Sequence, residues 1–393
     1  AREYPHQFSG GMKQRAMIAI ALAGEPDLLI ADEPTTALDV TLQAQILTLL
    51  KAEQRRRGMG MLFITHDFGV AWQVADRVAV LKAGRLVETA PRDEFYRAPR
   101  HAYSQALFAA LPRLERRASP PPCASAAPLL EVADLRIEFP IRKGVLRRVV
   151  DRVRAVDGVS LRVYEGETLA IVGESGSGKT TMGRGILRLL PLAGGVVRFR
   201  GEDLAALSES ALRRRRRHLQ VVFQDSYAAM NPRMLVADIV AEGMVAQALG
   251  GSRAQRMRRV EELLTQVGLE PAHAARYPHE FSGGQRQRIC IARALAVEPR
   301  LIVCDEPTSA LDVSVQAQIL DLLRELQQRL GLSFLFITHN LGVVAQLAHR
   351  VAVMHRGRIV EQGPVDDVLF APTHEYTRQL LAAVPRIGEQ GPP

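Results

Sequence analysis

The stretch ETLAIVGESGSGKTTM, Glu167–Met182, decides the fold of this chain. It opens with a short apolar run, Thr168–Val172, continues through the spacing Gly-x-x-x-x-Gly-Lys-Thr, and leads into a helical pattern from Met182 to Leu190. A strand, a glycine-rich turn and a helix in this order predict a phosphate-binding loop, because the glycines let backbone N–H groups converge and the helix N-terminus adds its positive dipole end. The alternative, a glycine- and serine-rich solvent loop, explains neither the full spacing nor both flanks.

The residues of this loop have expected roles toward a nucleotide. Lys179 can reach the β- and γ-phosphates as a point charge, and the Thr180 hydroxyl can ligate a Mg²⁺ ion that bridges them. The sequence therefore predicts a nucleotide site that also uses Mg²⁺. The predicted binding residues are Gly173, Glu174, Ser175, Gly176, Ser177, Gly178, Lys179, Thr180 and Thr181.

The composition is that of an ordinary globular protein. Of the 393 residues, 47% are apolar and 24% are charged. No apolar run approaches the roughly 18 residues that would span a bilayer, and the N-terminus has neither a signal pattern nor a Met. We therefore expect a cytoplasmic chain whose residue 1 is not the natural start. The three cysteines have no C-x-x-C spacing, which argues against a zinc or iron–sulfur site.

The net charge is +9, and its densest cluster is Arg213–Arg217. This run has no interleaved aromatic residues of the kind that stack bases, so no nucleic-acid partner is expected. We interpret it as a solvated helix face. Attraction toward acidic lipid headgroups or toward charges of a partner protein is the alternative.

The sequence also contains an internal repeat. YPHQFSGG at residues 4–11 recurs as YPHEFSGG at 277–284, and DEPTTALDV, FITHD and GRLVE recur in the same order as DEPTSALDV, FITHN and GRIVE, always 273 positions later. The match continues without an insertion for about 110 residues and predicts two copies of one domain. At this spacing the phosphate loop of the first copy falls upstream of residue 1. We therefore expect only the C-terminal part of that copy here.

These matches predict three segments. Residues 1–113 hold the partial first copy with its tail, residues 114–128 form a linker rich in proline, alanine and serine, and residues 129–393 hold a complete second copy with its tail. In the second copy, apolar strands alternate with helices, which predicts an α/β fold with a parallel sheet covered on both faces. A basic loop is expected between the strands at Leu129–Phe139 and Ala155–Val163.

Two adjacent carboxylates follow a buried strand of the second copy. Asp305 and Glu306 come after Leu301–Val303, so both should emerge at the C-terminal edge of the sheet, where α/β folds bind ligands and where the phosphate loop lies. Asp305 suits the surroundings of a Mg²⁺ ion, and Glu306 suits orienting or deprotonating an attacking water. The alternative is that the acids only cap the turn before Pro307.

Taken together, the motifs resemble those of the ATP-binding cassette ATPases. The resemblance covers residues 129–393 and, in the first copy, residue 4 to about 113. It implies a P-loop NTPase fold with a parallel core sheet, an antiparallel β subdomain and a helical signature subdomain, and it implies hydrolysis of ATP coupled to transport across a membrane. The motifs are the phosphate loop, Gln224 in VVFQD, the signature Ser282-Gly283-Gly284-Gln285, the strand LIVCDE, Asp312 in SALD and His339 in FITHN.

The resemblance also implies roles for single residues. Glu306, His339 and Gln224 would form the catalytic group, with His339 at the γ-phosphate and Gln224 coupling the metal site to a transmembrane partner. The implied metal site consists of Thr180, Gln224 and Asp305. In the first copy the matching positions are Asp32, Glu33, Asp39 and His66.

The signature motif is expected to bind a second nucleotide face. Ser9-Gly10-Gly11 and Ser282-Gly283-Gly284 each open a helix, and a glycine-bearing helix N-terminus can bind phosphate through its backbone N–H groups. In the resembled family, this element contacts the nucleotide of the other cassette. Pairing of cassettes within one chain or between chains is therefore implied.

The tails resemble those of one importer group. APRHAYSQALFAALPR and APTHEYTRQLLAAVPR are similar to the tails of ATPases that power import of oligopeptides, dipeptides, nickel or glutathione. This implies permease subunits and a substrate-binding protein as partners, and a peripheral location on the cytoplasmic face of the inner membrane. The usual adenine-stacking aromatic is replaced by valines, and Phe139 is the candidate in its place. The alternatives are a soluble tandem cassette ATPase acting on ribosomes or DNA, or a non-catalytic remnant.

Overall fold

The structure is a computed structural model. It describes residues 4, 8, 10–35, 40–112, 114–115, 127–143, 148–309 and 311–384. These residues form two compact units, an N-terminal one built mainly from residues before 112 and a C-terminal one built mainly from residues 112–378. Most of the predicted linker lies outside the described residues.

The N-terminal unit alternates helices with short strands. Its elements are α1 (Gly10–Leu22), β1 (Leu28–Asp32), α2 (Val40–Arg57), β2 (Gly60–Ile64), α3 (Phe68–Val74), β3 (Arg77–Lys82), β4 (Arg85–Pro91), α4 (Arg92–Arg97) and α5 (Ala102–Ala109). Within the described part of the chain, β1 and β2 form a parallel pair, and β3 and β4 form a separate antiparallel pair.

One face of the β1–β2 pair is buried and the other is not. Residues of α1 and α2, Ile18 and Ile46 among them, pack with Leu29 in a small core. The opposite face carries apolar side chains that remain open to solvent, because no described element covers them. These are Leu28 (57% exposed), Ile30 (61%), Leu62 (52%) and Ile64 (44%).

The elements after residue 127 are more numerous. The strands are β5 (Leu130–Lys143), β6 (Arg148–Val163), β7 (Thr168–Val172), β8 (Gly194–Phe199), β9 (Glu202–Asp203), β10 (Leu219–Val222), β11 (Leu301–Asp305), β12 (Ser333–Ile337), β13 (Arg350–His355) and β14 (Arg358–Pro364). The helices are α6 (Lys179–Ile186), α7 (Glu209–Arg215), α8 (Val236–Ala246), α9 (Arg253–Gln266), α10 (Gly283–Leu295), α11 (Val313–Leu330), α12 (Leu341–Leu347), α13 (Val365–Phe370) and α14 (Glu375–Ala382).

The core sheet of the C-terminal unit has the strand order β10-β11-β12-β7-β13-β14. Neighbouring strands are parallel except for β13 and β14, which are antiparallel. Every residue of β7, β11 and β12 is buried. Strands covered on both faces read as continuous apolar runs, so the predicted parallel sheet is confirmed.

An antiparallel sheet with the order β6-β5-β8-β9 packs beside it. Its inner residues share one hydrophobic core with β7, α6 and the central strands. The predicted basic loop between Phe139 and Ala155 is shorter in the structure than expected. β5 runs on to Lys143 and β6 begins at Arg148, because the two strands keep pairing beyond Phe139, with Glu138 accepting ion pairs from Arg152 and Arg154.

The arginine run at residues 213–217 ends helix α7 and continues into the turn before β10. Arg215, Arg216 and Arg217 form ion pairs with Glu202, Glu209 and Glu298. Such partly exposed pairs contribute about 0–1 kcal/mol each. The pairs agree with a solvated helix face, and the attraction to lipid or to a partner stays a prediction.

Candidate nucleotide site

The predicted phosphate loop joins β7 to α6 at the C-terminal edge of the parallel sheet. α6 begins at Lys179, with Gly178 as its N-cap at φ +105°. Lys179 is 5% exposed, and its Nζ donates to the carbonyl oxygens of Gly173 at 2.7 Å and Glu174 at 2.8 Å. The ammonium group is therefore held inside the curve of the loop, the position from which it can contact phosphate oxygens.

The loop lies directly on the backbone of neighbouring strands. A Cβ on Gly178 would come within 2.2 Å of the Ala155 carbonyl oxygen, and one on Gly173 within 2.1 Å of the Met354 carbonyl oxygen. The Gly357 N–H also donates to the Ser177 carbonyl at 2.8 Å. The glycines are thus required for close packing of backbone on backbone, in addition to the conformation of the loop.

We expect Gly178→Ala to damage this loop far more than Gly176→Ala. Both residues have positive φ, +105° and +80°, but only the first substitution would also collide with backbone, since nothing lies within 4 Å of a Cβ on Gly176. Overpacking typically costs about 1–3 kcal/mol beyond the backbone strain that the two variants share. Urea unfolding and ATP titration of both variants measure the difference. Equal losses in the two would show that φ alone explains the glycines.

Thr180 and Asp305 meet at the same edge. The Thr180 hydroxyl donates to Asp305 Oδ1 at 2.8 Å. Burial raises the pKa of the Asp305 carboxyl, the hydrogen bond from Thr180 opposes this, and the charge of Glu306 adds to it. A buried carboxylate whose charge is disfavoured in this way is a good neighbour for a cation.

The catalytic residues predicted by resemblance converge on one atom. Gln224 Nε2 donates to Glu306 Oε2 at 3.1 Å, and His339 Nδ1 lies 3.2 Å from the same oxygen. Gln224 follows β10, Glu306 follows β11 and His339 follows β12, which are adjacent parallel strands, so their ends meet at one edge.

The backbone and charge of Glu306 are both unusual. Its φ is +47°, a left-handed conformation that costs a non-glycine residue about 1–2 kcal/mol, and its N–H is held by the Ile337 carbonyl at 2.9 Å. Burial alone would raise the pKa of its carboxyl. The hydrogen bond with His339, the charge of that imidazole and the charge of Lys179 outweigh burial and lower the pKa below its usual value. Glu306 is therefore ionised at neutral pH and able to accept a proton.

The first repeat shows the same pair. Glu33 has φ +44°, its N–H is held by the Ile64 carbonyl, and its Oε1 lies 2.8 Å from His66 Nδ1. Asp32 ends β1, while Asp39 lies outside the described residues.

The two signature motifs lie at helix N-termini as predicted from sequence. Ser282 is the N-cap of α10, where its hydroxyl accepts from the Gln285 N–H and the Gln285 side chain accepts from the Ser282 N–H. Gly283 and Gly284 form the first turn. α10 packs against α8 and α9. In the first repeat Gly10 and Gly11 open α1, and Ser9 lies outside the described residues.

Two contacts of the phosphate loop escaped the sequence reasoning. Gly357, from the turn after β13, and Tyr376, from α14, both bond to loop backbone. The repeat does mark both residues, because Gly357 and Tyr376 recur 273 positions after Gly84 and Tyr103. Their contact with the phosphate loop could not be inferred from this spacing.

Neither a cluster of metal ligands nor a helix suited to span a membrane occurs among the described residues. No group of three or more His, Cys, Asp or Glu residues is arranged as metal ligands in the part of the chain that the structure describes. Among the same residues, no helix combines the length and the apolar character needed to cross a membrane.

A parallel sheet that carries a phosphate loop, two acids and a signature helix defines a P-loop nucleotide-binding protein of the cassette type. Comparison with protein families matches the ABC transporter family over residues 1–36 and 156–309, and the C-terminal region of oligopeptide/dipeptide transporters over residues 87–132 and 360–392. The chain belongs to the ATP-binding cassette (ABC) transporter ATPase family, in the group with that C-terminal region.

Similar curated proteins and solved structures agree with this family. The chain is 50% identical over 405 aligned positions to the glutathione import ATP-binding protein GsiA of Pectobacterium atrosepticum and to that of Escherichia coli (strain K12). The match covers 97% of this chain and 65% of each relative, so the chain spans about two thirds of their length. The dimeric cassette MJ0796 bound to ADP and Pi is 29% identical, with a TM-score of 0.54 over 60% of this chain and 98% of that one. CbiO1 from Clostridium perfringens is 28% identical, with a TM-score of 0.54 over 66% and 97%.

Proposed function

We propose that the chain binds MgATP at the loop 173–181 and hydrolyses it with Glu306 as the base that orients or deprotonates the attacking water. The observation that carries the proposal is the convergence of Gln224 and His339 on the ionised Glu306 carboxylate, beside the loop that holds Lys179. The phosphate loop distinguishes this site from the matching Glu33–His66 pair of the first repeat, where the described residues include no such loop.

The roles of the side chains follow from their positions. Lys179 and the backbone N–H groups of the loop hold the phosphates, which fixes the reacting phosphorus relative to the edge of the sheet. Gln224 and His339 orient the Glu306 carboxylate at the edge where the attacking water would lie. His339 is also close enough to the same edge to contact the γ-phosphate. Proton acceptance by a positioned group of this kind contributes about 10²–10⁴-fold to a rate.

The residues present fit Mg²⁺. A threonine hydroxyl and a buried carboxylate at 2.8 Å from each other, with the Gln224 amide at the same edge, are hard oxygen donors of the kind this ion prefers. Mg²⁺ is usually bound by one or two protein groups plus substrate phosphates and waters, so a protein-only cage is not required. When bound, the ion would neutralise phosphate charge and orient the phosphate oxygens. Thr180, Asp305 and Gln224 are the residues that would hold it.

The proposed biological role is to power import of a peptide or a related solute, such as glutathione, a dipeptide or nickel. The C-terminal region shared with oligopeptide/dipeptide transporters and the 50% identity to glutathione import proteins support it. Partners would be membrane permease subunits and, through them, a substrate-binding protein, with the chain peripheral on the cytoplasmic face of the inner membrane. An action on ribosomes or DNA is not favoured, because the transporter C-terminal region matches at both tails.

We also propose the tandem arrangement, with residues 1–113 as part of one cassette, 114–128 as linker and 129–393 as a complete cassette. The uncovered face of β1–β2 supports it. In the C-terminal unit the corresponding strands β11 and β12 pack against α6, and β7 pairs between β12 and β13. In the N-terminal unit β2 and β3 belong to separate sheets, which leaves room for a strand and helix of the same kind.

The adenine contact remains a proposal as well. Phe139 is 42% exposed and pairs with Val153 across β5 and β6. Two residues after Val153 on the same strand lies Ala155, and the carbonyl of Ala155 packs against Gly178. Phe139 is therefore on the strand pair next to the loop, with an exposed ring that an adenine could stack on.

A pair of signature variants tests how the cassettes combine. In one arrangement, the nucleotide bound at Lys179 is contacted by the first signature motif, Ser9-Gly10-Gly11. Gly10→Asp should then abolish ATPase activity, because it places a carboxylate against the γ-phosphate. Gly283→Asp should leave the activity nearly unchanged. Gly283 is the first residue of α10, where an acid is tolerated by the helix dipole, so its variant is a fair control for folding. The opposite sensitivities would mean that two chains pair through their second cassettes. Activity that survives both substitutions would contradict the proposal that a signature motif contacts the nucleotide held by Lys179.

A further inference from the structure

The tail is fixed in place before α14 begins. Glu361 on β14 accepts the backbone N–H groups of Thr373 at 2.7 Å and His374 at 3.2 Å. His374 then caps the helix, because its Nδ1 accepts the N–H of Tyr376 at 3.1 Å. These bonds leave little freedom in where the side chain of Tyr376 points.

That side chain reaches the phosphate loop. Its ring packs on His355 at the end of β13, with centroids 3.9 Å apart, and Tyr376 is only 8% exposed. Its hydroxyl accepts the backbone N–H of Glu174 at 3.1 Å. Residues 202 positions apart are thereby joined at the first turn of the loop.

The peptide group between Gly173 and Glu174 is held from both ends. Its N–H donates to the Tyr376 hydroxyl, and its carbonyl oxygen, which belongs to Gly173, accepts from Lys179 Nζ at 2.7 Å. Because a peptide group is planar, fixing its N–H also fixes the direction of its carbonyl. The tyrosine hydroxyl thus determines the orientation of one of the two carbonyls that hold the Lys179 ammonium.

We propose that Tyr376 is a positioning residue of the nucleotide site, which acts through the Gly173–Glu174 peptide on Lys179. The inference rests on the proposed role of Lys179 in binding the phosphates. It makes the C-terminal region a structural part of the ATP site, so that tail and phosphate loop cannot move independently. Its expected contribution is to nucleotide affinity, because the peptide group that it holds also holds the Lys179 ammonium.

The first repeat supplies a matched control. Tyr103 occupies the same place in its tail, where Glu88 accepts the N–H groups of Arg100 and His101, and His101 accepts the N–H of Tyr103. Its ring lies under Lys82, the counterpart of His355, at 4.7 Å. The same tail geometry thus occurs in the N-terminal unit, where the described residues include no phosphate loop.

The experiment compares Tyr376→Phe with Tyr103→Phe in the full chain. Phenylalanine keeps the ring packed on His355 and removes the hydroxyl that accepts the Glu174 N–H. We expect Tyr376→Phe to raise the Kd and the KM for MgATP by about three- to tenfold, the range of one net hydrogen bond, with kcat unchanged and the melting temperature lowered by no more than a few degrees. Tyr103→Phe should change neither constant. Calorimetry with MgATP and steady-state ATPase kinetics measure these values.

Hydrogen exchange of the Glu174 amide, measured without nucleotide, gives a second readout. Exchange should become faster at Glu174 in Tyr376→Phe and stay unchanged in the buried strands. Unchanged nucleotide affinity, or unchanged exchange at Glu174, would overturn the inference. A lower melting temperature with faster exchange throughout the sheet would also overturn it, because the tyrosine would then be only structural. If the wild type bound no MgATP, the proposed function would fail, whereas the exchange result would still test the contact by itself.

Discussion

Glu306→Gln is expected to leave ATP binding intact and to slow hydrolysis by about 10²–10⁴-fold, the range for loss of a positioned general base. The side chain is 15% exposed, and its Oε2 is already engaged by Gln224 and His339. Glutamine has the same shape and keeps an oxygen that can accept one of these bonds, but it carries no charge and cannot accept a proton. Calorimetry with MgATP and ATPase rates separate the two effects.

Glu33→Gln is the matched control for this variant. Glu33 has the same left-handed backbone and the same histidine contact, to His66. If the working site is the one at Lys179, its variant should turn over like the wild type. Undiminished turnover in Glu306→Gln would assign the base to another group, and equal losses in both variants would show that the two acids act in one site.

The extent to which sequence predicts this site depends on the distance between the residues along the chain. β7 has the predicted limits, Thr168–Val172, since an apolar run followed by glycine leaves little choice. α6 begins earlier than predicted, at Lys179 instead of Met182, because the loop turns directly into the helix after its N-cap, Gly178. The spacing of apolar residues predicts which face of a helix is buried, but it does not predict the residue at which the helix begins.

The meeting of Gln224, Glu306 and His339 could be expected only through the family resemblance. The strands before them, β10, β11 and β12, are neighbours in the sheet, although helices α8, α9 and α10 separate β10 from β11 along the chain and α11 separates β11 from β12. A pattern of apolar residues predicts that strands exist and does not give their order. The left-handed φ of Glu306 was also beyond prediction, because glutamate has no local preference for it and the Ile337 carbonyl imposes it from the next strand.

The extended β5–β6 pair shows a different limit. Arg148–Arg154 contains charged residues at close intervals, which is typical of a loop when read alone. In the structure, cross-strand pairing with Glu138 and the neighbouring residues offsets the low strand preference of this segment. The register of such a pair depends on the partner strand, so a single-segment interpretation could not find it.

The largest loss of nucleotide affinity is expected for Lys179→Met. Methionine fills nearly the same volume, so the variant removes a charge and its hydrogen bonds with little change in packing. Hydrogen bonds to charged groups contribute about 1.5–3 kcal/mol each, and Lys179 is expected to contact two phosphates, so the Kd for MgATP should rise on the order of 100-fold or more. The ammonium is already dehydrated by the Gly173 and Glu174 carbonyls, which lowers the further cost of moving it onto phosphate.

Arg184→Met is the control for long-range charge. Arg184 lies in the last turn of the same helix, and its removal changes the net charge by the same amount. Arg184 is exposed, and its charge reaches the site only as one of the weaker influences on the pKa of Asp305, so this variant should lose far less affinity for MgATP than Lys179→Met. Calorimetry on both variants, with melting temperatures to verify folding, decides the matter. Wild-type affinity in Lys179→Met would contradict the phosphate role of Lys179, and equal losses in both variants would show that the loop acts only through its general positive potential and not by direct contact.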